Sequence, residues 1–95
     1  MRLIVKKGDD LVSEFEFSSG PIYIGRQKDS QVLLPDKAVS RQHAVLYATT
    51  QGKWIVEDLD TANKTYLNNE EIHKAEVKNG DVLKISDFQI EIHID

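Results

Sequence analysis

The 95-residue sequence contains no cysteine and only two prolines. Without cysteine there can be no disulfide framework and no thiolate metal site. The three histidines, His43, His73 and His93, show none of the short spacings typical of metal-binding pairs, so we expect neither a metal nor a cofactor. Long apolar runs are also missing, since the stretch at residues 3–5 is followed by two lysines. No signal peptide or membrane span is predicted there, and we expect a cytoplasmic protein without membrane contact.

The sequence also lacks an excess of positive charge. It has 12 Lys and Arg residues against 16 Asp and Glu, a net charge of −4. Nucleic acid is bound through many Lys and Arg side chains on one face, so this balance argues against a nucleic-acid partner. Only three basic residues are arginines, and two of these, Arg26 and Arg41, lie beside Gly25 and Ser40 in loop-like stretches. Arginine suits bidentate recognition of phosphate or carboxylate, which makes these two residues candidate anion ligands.

Short runs of β-branched and aromatic residues, separated by turn residues, indicate an all-β chain. The last run, Phe88 to Ile94, alternates apolar and polar residues with a period of two, which is typical of a half-buried strand. The other predicted strands are Arg2–Lys6, Leu11–Phe17, Ile22–Ile24, Gln31–Leu34, His43–Ala48, Lys53–Asp58, Thr65–Leu67, the residues around Ile72, and Val82–Ile85. About ten short strands at near-regular spacing predict one antiparallel sandwich or barrel, and 95 residues leave room for a single core.

Residues 70–77 are the segment for which the prediction is least clear. They are good helix formers, and propensity alone would permit two helical turns. The segment has no capping residue, and its only large apolar residues are Ile72 and Val77. We favour an extended conformation, with a helix as the alternative.

Three loops carry the side chains best suited to binding or catalysis. They are the loop after Ile24-Gly25-Arg26, the stretch Val39-Ser40-Arg41-Gln42-His43, and the stretch Asp60-Thr61-Ala62-Asn63-Lys64-Thr65. Taken singly, each residue has an ordinary explanation, for example turn geometry for Asn63. Ser40 and His43 could also form a nucleophile and base, but that chemistry needs an orienting group and an oxyanion hole, and no GxSxG turn is present. We therefore predict no catalytic residues and no enzymatic activity.

In their order and spacing these stretches resemble the forkhead-associated (FHA) domain, and the resemblance covers nearly the whole chain. The matching blocks are Tyr23-Ile24-Gly25-Arg26, Val39-Ser40-Arg41-Gln42-His43, Glu57-Asp58-Leu59-Asp60, Asn63-Lys64-Thr65-Tyr66-Leu67-Asn68, and Asn79-Gly80-Asp81-Val82-Leu83-Lys84-Ile85. The resemblance implies an antiparallel β-sandwich of about eleven short strands (the FHA/SMAD-like fold) over residues 1–95. It further implies a non-catalytic, monomeric module, without cofactor, that binds phosphothreonine in a partner protein, such as a substrate of a Ser/Thr kinase in a signalling pathway.

The resemblance also implies roles for individual residues. Arg26 and Ser40 match the phosphate-binding positions of FHA domains, and Arg41 matches a neighbouring position that often adds a phosphate contact. Asn63 matches the asparagine that hydrogen-bonds the peptide backbone. Thr61 and Lys64 are possible accessory ligand contacts, and the residues at structural loop positions are Gly25, His43 and Asn68.

Two positions depart from the family pattern. Lys64 stands where the family usually has glycine, and Ala62 stands where many members have threonine or serine. These departures support an alternative hypothesis, a phosphate-independent interaction or assembly domain of the same fold. Lys28, Lys37, Lys64 and Asp60 are unranked candidates for selecting residues that flank the phosphothreonine.

Overall fold

The computed structural model describes residues 1–94, which fold into two β-sheets. The strands are β1 (Arg2–Lys7), β2 (Asp10–Glu16), β3 (Ile22–Gly25), β4 (Val32–Leu33), β5 (Ala44–Ala48), β6 (Trp54–Asp58), β7 (Thr65–Leu67), β8 (Glu70–Ile72), β9 (Lys74–Val77), β10 (Val82–Ile85) and β11 (Phe88–His93). One sheet has the order β2-β1-β11-β10-β7-β8 and the other β4-β3-β5-β6-β9. The all-β sandwich of eleven strands is confirmed.

The core lies between the two sheets, and strand periodicity determines which side chains enter it. In β11 the alternate residues Phe88, Ile90 and Ile92 are buried, as the apolar and polar alternation predicts. They join one buried cluster with residues of the second sheet such as Ile24 and Leu46. A slip of one residue in the register would expose this apolar face, so burial fixes the strand pairing.

The turn residues in the sequence mark real turns. Asn68 and Asn69 have φ values of 50° and 71° between β7 and β8, which are antiparallel neighbours. Positive φ at both central residues suits a two-residue hairpin, and asparagine tolerates it better than most residues. Asn68-Asn69 is therefore the turn of the β7–β8 hairpin.

Two parts of the structure differ from the simplest expectation. Strands β3 and β4 pair in parallel, whereas the other pairings are antiparallel, and β4 contains only Val32 and Leu33. Residues 70–77 are extended, as we favoured, but they form two strands in different sheets, with β8 paired to β7 and β9 paired to β6. Pairing with established strands outweighs the helix propensity of this segment. Within residues 1–94 we find no helix long and apolar enough to cross a membrane.

Candidate functional site

Strand pairing brings the three loops that contain Arg26, Ser40 and Asn63 to one end of the five-stranded sheet. Strand β3 ends beside the start of β5, where Ile24 pairs with Ala44. The start of β5 in turn lies beside the end of β6, where Ala44 pairs with Asp58. The loops that follow β3, precede β5 and follow β6 therefore leave the sandwich together, which is where loop-borne binding sites are usual.

Gly25 allows two of these loops to pack closely. A Cβ atom at this position would lie 2.1 Å from the carbonyl oxygen of Arg41, closer than any real contact. The close approach lets the Arg26 amide donate to the Ser40 carbonyl at 3.0 Å and the Gln27 amide donate to the Arg41 carbonyl at 3.1 Å. A side chain at position 25 would disrupt both backbone bonds.

Arg26, Ser40 and Arg41 are thereby brought together at this end of the sheet. The Arg26 Nε donates to the Val39 carbonyl at 3.0 Å, which orients the guanidinium and leaves its other N–H donors for a ligand. Arg26 and Arg41 are exposed, and Ser40 is half-buried. Among residues 1–94, the salt bridges that form involve neither Arg26 nor Arg41.

Asn63 connects the loop after β6 to the loop before β5. Its Nδ2 donates to the Ala38 carbonyl at 2.7 Å while the side chain remains exposed. The amide carries a second N–H and a carbonyl oxygen, so it can still donate to and accept from an extended backbone.

His43 lies beneath these loops, fully buried, and bonds to both of them. Its Nδ1 accepts the Ser40 amide at 3.1 Å, and its Nε2 lies 2.8 Å from the Lys64 carbonyl. Since a carbonyl can only accept, the proton belongs on Nε2 and Nδ1 is the free acceptor. His43 is therefore a neutral link between the Ser40 loop and the Asn63–Lys64 loop.

Asp58 forms the centre of a second buried group beside His43. Its Oδ1 accepts the hydroxyls of Thr61 at 2.7 Å and Thr65 at 2.8 Å, and its Oδ2 accepts the Thr61 amide at 3.0 Å. Asp58 and Thr61 are each 4% exposed and Thr65 is 0% exposed. Thr61 was expected as an accessory ligand contact, but its hydroxyl points inward and is already used by Asp58.

The hydrogen bonds to Asp58 change its acidity. Burial by itself would raise the pKa of this carboxyl, but the bonds from Thr61 and Thr65 outweigh that effect and hold the pKa below its ordinary value of 3.8. The folded state thus favours the ionised carboxylate. Its contribution to stability is present above about pH 3.8 and is lost as the pH falls through the lower, folded-state value.

We expect Asp58→Asn to lower the free energy of unfolding at neutral pH, with the difference from wild type shrinking below about pH 4. The wild-type carboxyl then becomes protonated in the unfolded state and, as the pH falls through its lower folded-state pKa, in the folded state too, so the two proteins approach each other. Urea unfolding from about pH 7 to about pH 2.5 measures this difference. Asp60→Asn is the matched control, because Asp60 is an exposed carboxylate in the same loop. A difference that stays constant to the lowest pH would contradict the interpretation.

Lys64 adopts a backbone conformation that favours glycine. Its φ is 65°, in the left-handed region, where a residue with a side chain costs roughly 1–2 kcal/mol. The lysine therefore takes up the conformation that a glycine would supply at this position, and its carbonyl bonds to His43. Its ammonium group is on an exposed side chain next to Asn63.

A groove of about 500 Å³ opens beside Asn63. Its other lining residues are Ala38, Tyr66, Asn69, Lys84, Ser86 and Asp87. None of the four flanking-residue candidates, Lys28, Lys37, Lys64 and Asp60, lines this groove. No local sequence pattern predicts this groove, because its walls come from strands and turns that are far apart along the chain.

Two further residues have structural roles: Asn68, which was expected at a structural loop position, and Asp58, which was not among the expected site residues. Asn68 lies away from the loop cluster, where its Nδ2 donates to Asp81 at 3.0 Å and its Oδ1 accepts the Val82 amide at 3.0 Å. It joins the β7–β8 turn to the connection that leads from β9 into β10. Asp58 was not singled out from the sequence, although the Asp58-to-Thr61 spacing, with the carboxylate accepting the amide three residues on, is a local signal for such a turn.

A β-sandwich with two exposed arginines and an exposed asparagine on loops at one end has the architecture of a binding module. The comparisons identify the family: the family model of the FHA domain matches residues 22–86, and this chain belongs to that family.

The glycogen accumulation regulator GarA of Mycolicibacterium smegmatis is 35% identical over 93% of this chain and 55% of its own length. This chain therefore spans about half the length of that relative. The FhaA FHA domain, solved in complex with the intracellular domain of Rv3910, is 29% identical with a TM-score of 0.82, covering 95% of this chain and 96% of that one. A structure from a study of phosphothreonine-dependent FHA domain interactions is 28% identical with a TM-score of 0.87, covering 99% and 95%.

Proposed function

We propose that this chain is a non-catalytic module that binds a phosphothreonine-containing segment of a partner protein. Arg26, Ser40 and Arg41 hold the phosphate, and Asn63 holds the adjacent peptide backbone. The observation that best supports this assignment is the backbone bonding of Arg26 to Ser40 at 3.0 Å, which joins a guanidinium and a hydroxyl on separate loops into one unit.

The chemistry of these side chains fits a phosphorylated residue. A phosphothreonine carries roughly −1.5 to −2 charges and three strong acceptor oxygens. Two guanidinium groups can meet it with charge-assisted, forked hydrogen bonds, and a hydroxyl can add a short bond. The protein as a whole has a net charge of −4, so the attraction depends on the local placement of Arg26 and Arg41.

The geometry of Ser40 and His43 supports a binding role over a hydrolytic one. A serine nucleophile needs its hydroxyl bonded to the base, whereas here it is the Ser40 backbone amide that donates to His43. The other ring nitrogen of His43 lies against the Lys64 carbonyl, and the ring is fully buried. His43 is therefore occupied as a structural link.

The partner that fits this site is a protein phosphorylated on threonine by a Ser/Thr kinase in the cytoplasm. A regulatory interaction is supported by similar proteins, namely a glycogen accumulation regulator and an FHA domain studied for phosphothreonine-dependent interactions. We propose that the domain acts as a monomer without cofactor, nucleic acid or membrane. The groove beside Asn63 would accept the peptide residues that follow its backbone contact.

We expect a degenerate phosphothreonine peptide library to bind at least about 100-fold more tightly than the same library without phosphate. Loss of two charge-assisted hydrogen bonds at about 1.5 kcal/mol or more each removes that much affinity. Fluorescence anisotropy on the 95-residue chain measures both affinities, and sequencing of the retained peptides gives the flanking preference. Equal affinity for the two libraries would instead favour a phosphate-independent interaction domain of the same fold.

A further inference from the structure

We propose that Asp58 and Thr61 are positioning residues for the phosphate site, acting from inside the sandwich through His43 on the Ser40 amide. For its effect on binding, the inference rests on the proposed function. Neither residue is placed to touch a ligand, because both are 4% exposed and their side chains bond to buried groups.

The four groups form a continuous path from a carboxylate to a loop amide. The Thr61 hydroxyl lies 2.7 Å from the Asp58 Oδ1, and its oxygen lies 3.3 Å from the His43 Nε2. The other nitrogen of His43 lies 3.1 Å from the Ser40 amide nitrogen. Asp58 and His43 do not bond directly, since their nearest atoms are 3.9 Å apart and Thr61 lies between them.

An ionised Asp58 fixes the direction of the Thr61 hydroxyl, and the result agrees with the tautomer that the Lys64 carbonyl requires of His43. An ionised carboxylate only accepts, so the Thr61 hydroxyl must donate to it and turn its oxygen lone pairs toward His43. Nε2 then carries the proton, which it shares between Thr61 and the Lys64 carbonyl at 2.8 Å. The lone pair on Nδ1 is left to accept the Ser40 amide.

Ser40 is the point at which this path reaches the binding surface. Its carbonyl accepts the Arg26 amide at 3.0 Å, and the Val39 carbonyl next to it accepts the Arg26 Nε at 3.0 Å. A shift of the Ser40 amide would therefore move the hydroxyl and the Arg26 guanidinium together. Binding groups need to be held within about 0.5 Å of their productive positions, so the support beneath them affects affinity.

Thr65 provides a matched control within the same structure. Its hydroxyl donates to the same Asp58 Oδ1 at 2.8 Å, and it is at least as buried as Thr61. It forms no hydrogen bond to His43, however, whereas Thr61 does. Replacing either threonine with valine removes one hydroxyl from Asp58 at nearly constant shape, but only Thr61→Val interrupts the path to Ser40.

We expect Thr61→Val to weaken phosphothreonine-peptide binding by about three- to tenfold, the range for one net hydrogen bond. Thr65→Val should change affinity less than about twofold at a comparable loss of stability, and Thr61→Ser, which restores a hydroxyl, should recover most of the affinity. The probe is a phosphothreonine peptide taken from the library, and urea unfolding of each variant supplies the stability comparison.

A ligand-free measurement separates this inference from the proposed function. The ¹⁵N resonances of the His43 ring should show Nε2 protonated and Nδ1 accepting in the wild type and in Thr65→Val. In Thr61→Val the ring keeps this tautomer, which the Lys64 carbonyl and the Ser40 amide also require, but the loss of the Thr61 oxygen should shift the Nε2 resonance together with the Ser40 amide resonance. Equal effects of Thr61→Val and Thr65→Val on these resonances would overturn the relay whether or not the peptide binds. Failure of the wild type to prefer the phosphorylated peptide would overturn the proposed function alone.

Discussion

Arg26→Ala is expected to lower the affinity for a phosphothreonine peptide by roughly thirty- to several-thousand-fold. Removing one partner of a desolvated charge pair costs about 2–5 kcal/mol, and each 1.4 kcal/mol is a factor of about ten. The substitution also removes the Nε bond to the Val39 carbonyl, which orients the loop that contains Ser40. Isothermal titration with the phosphorylated peptide measures the change.

Two further substitutions separate charge from geometry at this position. Arg26→Lys keeps the positive charge but loses the forked donors and the Nε bond to Val39, so its affinity should fall between those of the wild type and Arg26→Ala. Lys28→Ala removes an exposed cation from the same loop and should change affinity less than about threefold. An Arg26→Ala protein that binds within a factor of two of the wild type would show that the phosphate site is elsewhere.

Much of the fold follows from local patterns in the sequence. The alternation of apolar and polar residues from Phe88 onward corresponds to strand β11, and the Asn68-Asn69 pair corresponds to the turn of the β7–β8 hairpin. Residues 70–77 could not be decided in the same way, because their propensity favours a helix. Their conformation is fixed by pairing with distant strands, for example Val77 with Trp54. The parallel pairing of β4 likewise requires contact with β3, so the residues of β4 alone do not predict it.

The candidate site, like the fold, is only partly predictable from the sequence. The order of Gly25-Arg26, Ser40-Arg41 and Asn63 along the chain predicts which loops come together, and strand pairing does bring them to one end. The direction in which each side chain points was not predictable. Thr61 and Asn63 are two residues apart in one polar loop, yet one is buried against Asp58 and the other is exposed. The Asn63 side chain is held by a bond to another loop, at the Ala38 carbonyl, which local spacing does not predict, whereas the Thr61 bond to Asp58 is local.

The backbone conformation and exposure of Lys64 and Ala62 explain how the fold accommodates these two departures from the family pattern. A sequence alone cannot state that Lys64 has a φ of 65°, and lysine has no preference for that region. The conformation persists because its carbonyl is held by His43, which is itself held by Ser40. The Lys64 replacement therefore preserves the loop while adding a charge beside Asn63. The position of Ala62 is exposed, where a hydroxyl would have to act on the ligand side and not in the buried network around Asp58.

Gly25→Ala is expected to destabilise the fold by about 3 kcal/mol, at the upper end of the usual cost of overpacking. The added Cβ would lie 2.1 Å from the Arg41 carbonyl oxygen and 2.9 Å from its carbonyl carbon, both of them backbone atoms that cannot rotate away. The two loops must separate, and the bonds from the Arg26 and Gln27 amides to Ser40 and Arg41 are then lost. Peptide affinity should also fall, because without these bonds Arg26 and Ser40 are no longer held next to each other.

Gly80→Ala is the control that distinguishes this steric effect from the general cost of replacing a glycine. Gly80 has a φ of 91° with open space around its missing Cβ, so alanine there meets only backbone strain of about 1 kcal/mol and leaves the binding loops untouched. Urea unfolding gives both stabilities, and peptide titration of the folded fraction gives both affinities. If Gly25→Ala costs no more stability than Gly80→Ala and binds normally, close packing at Gly25 does not hold the phosphate loops together.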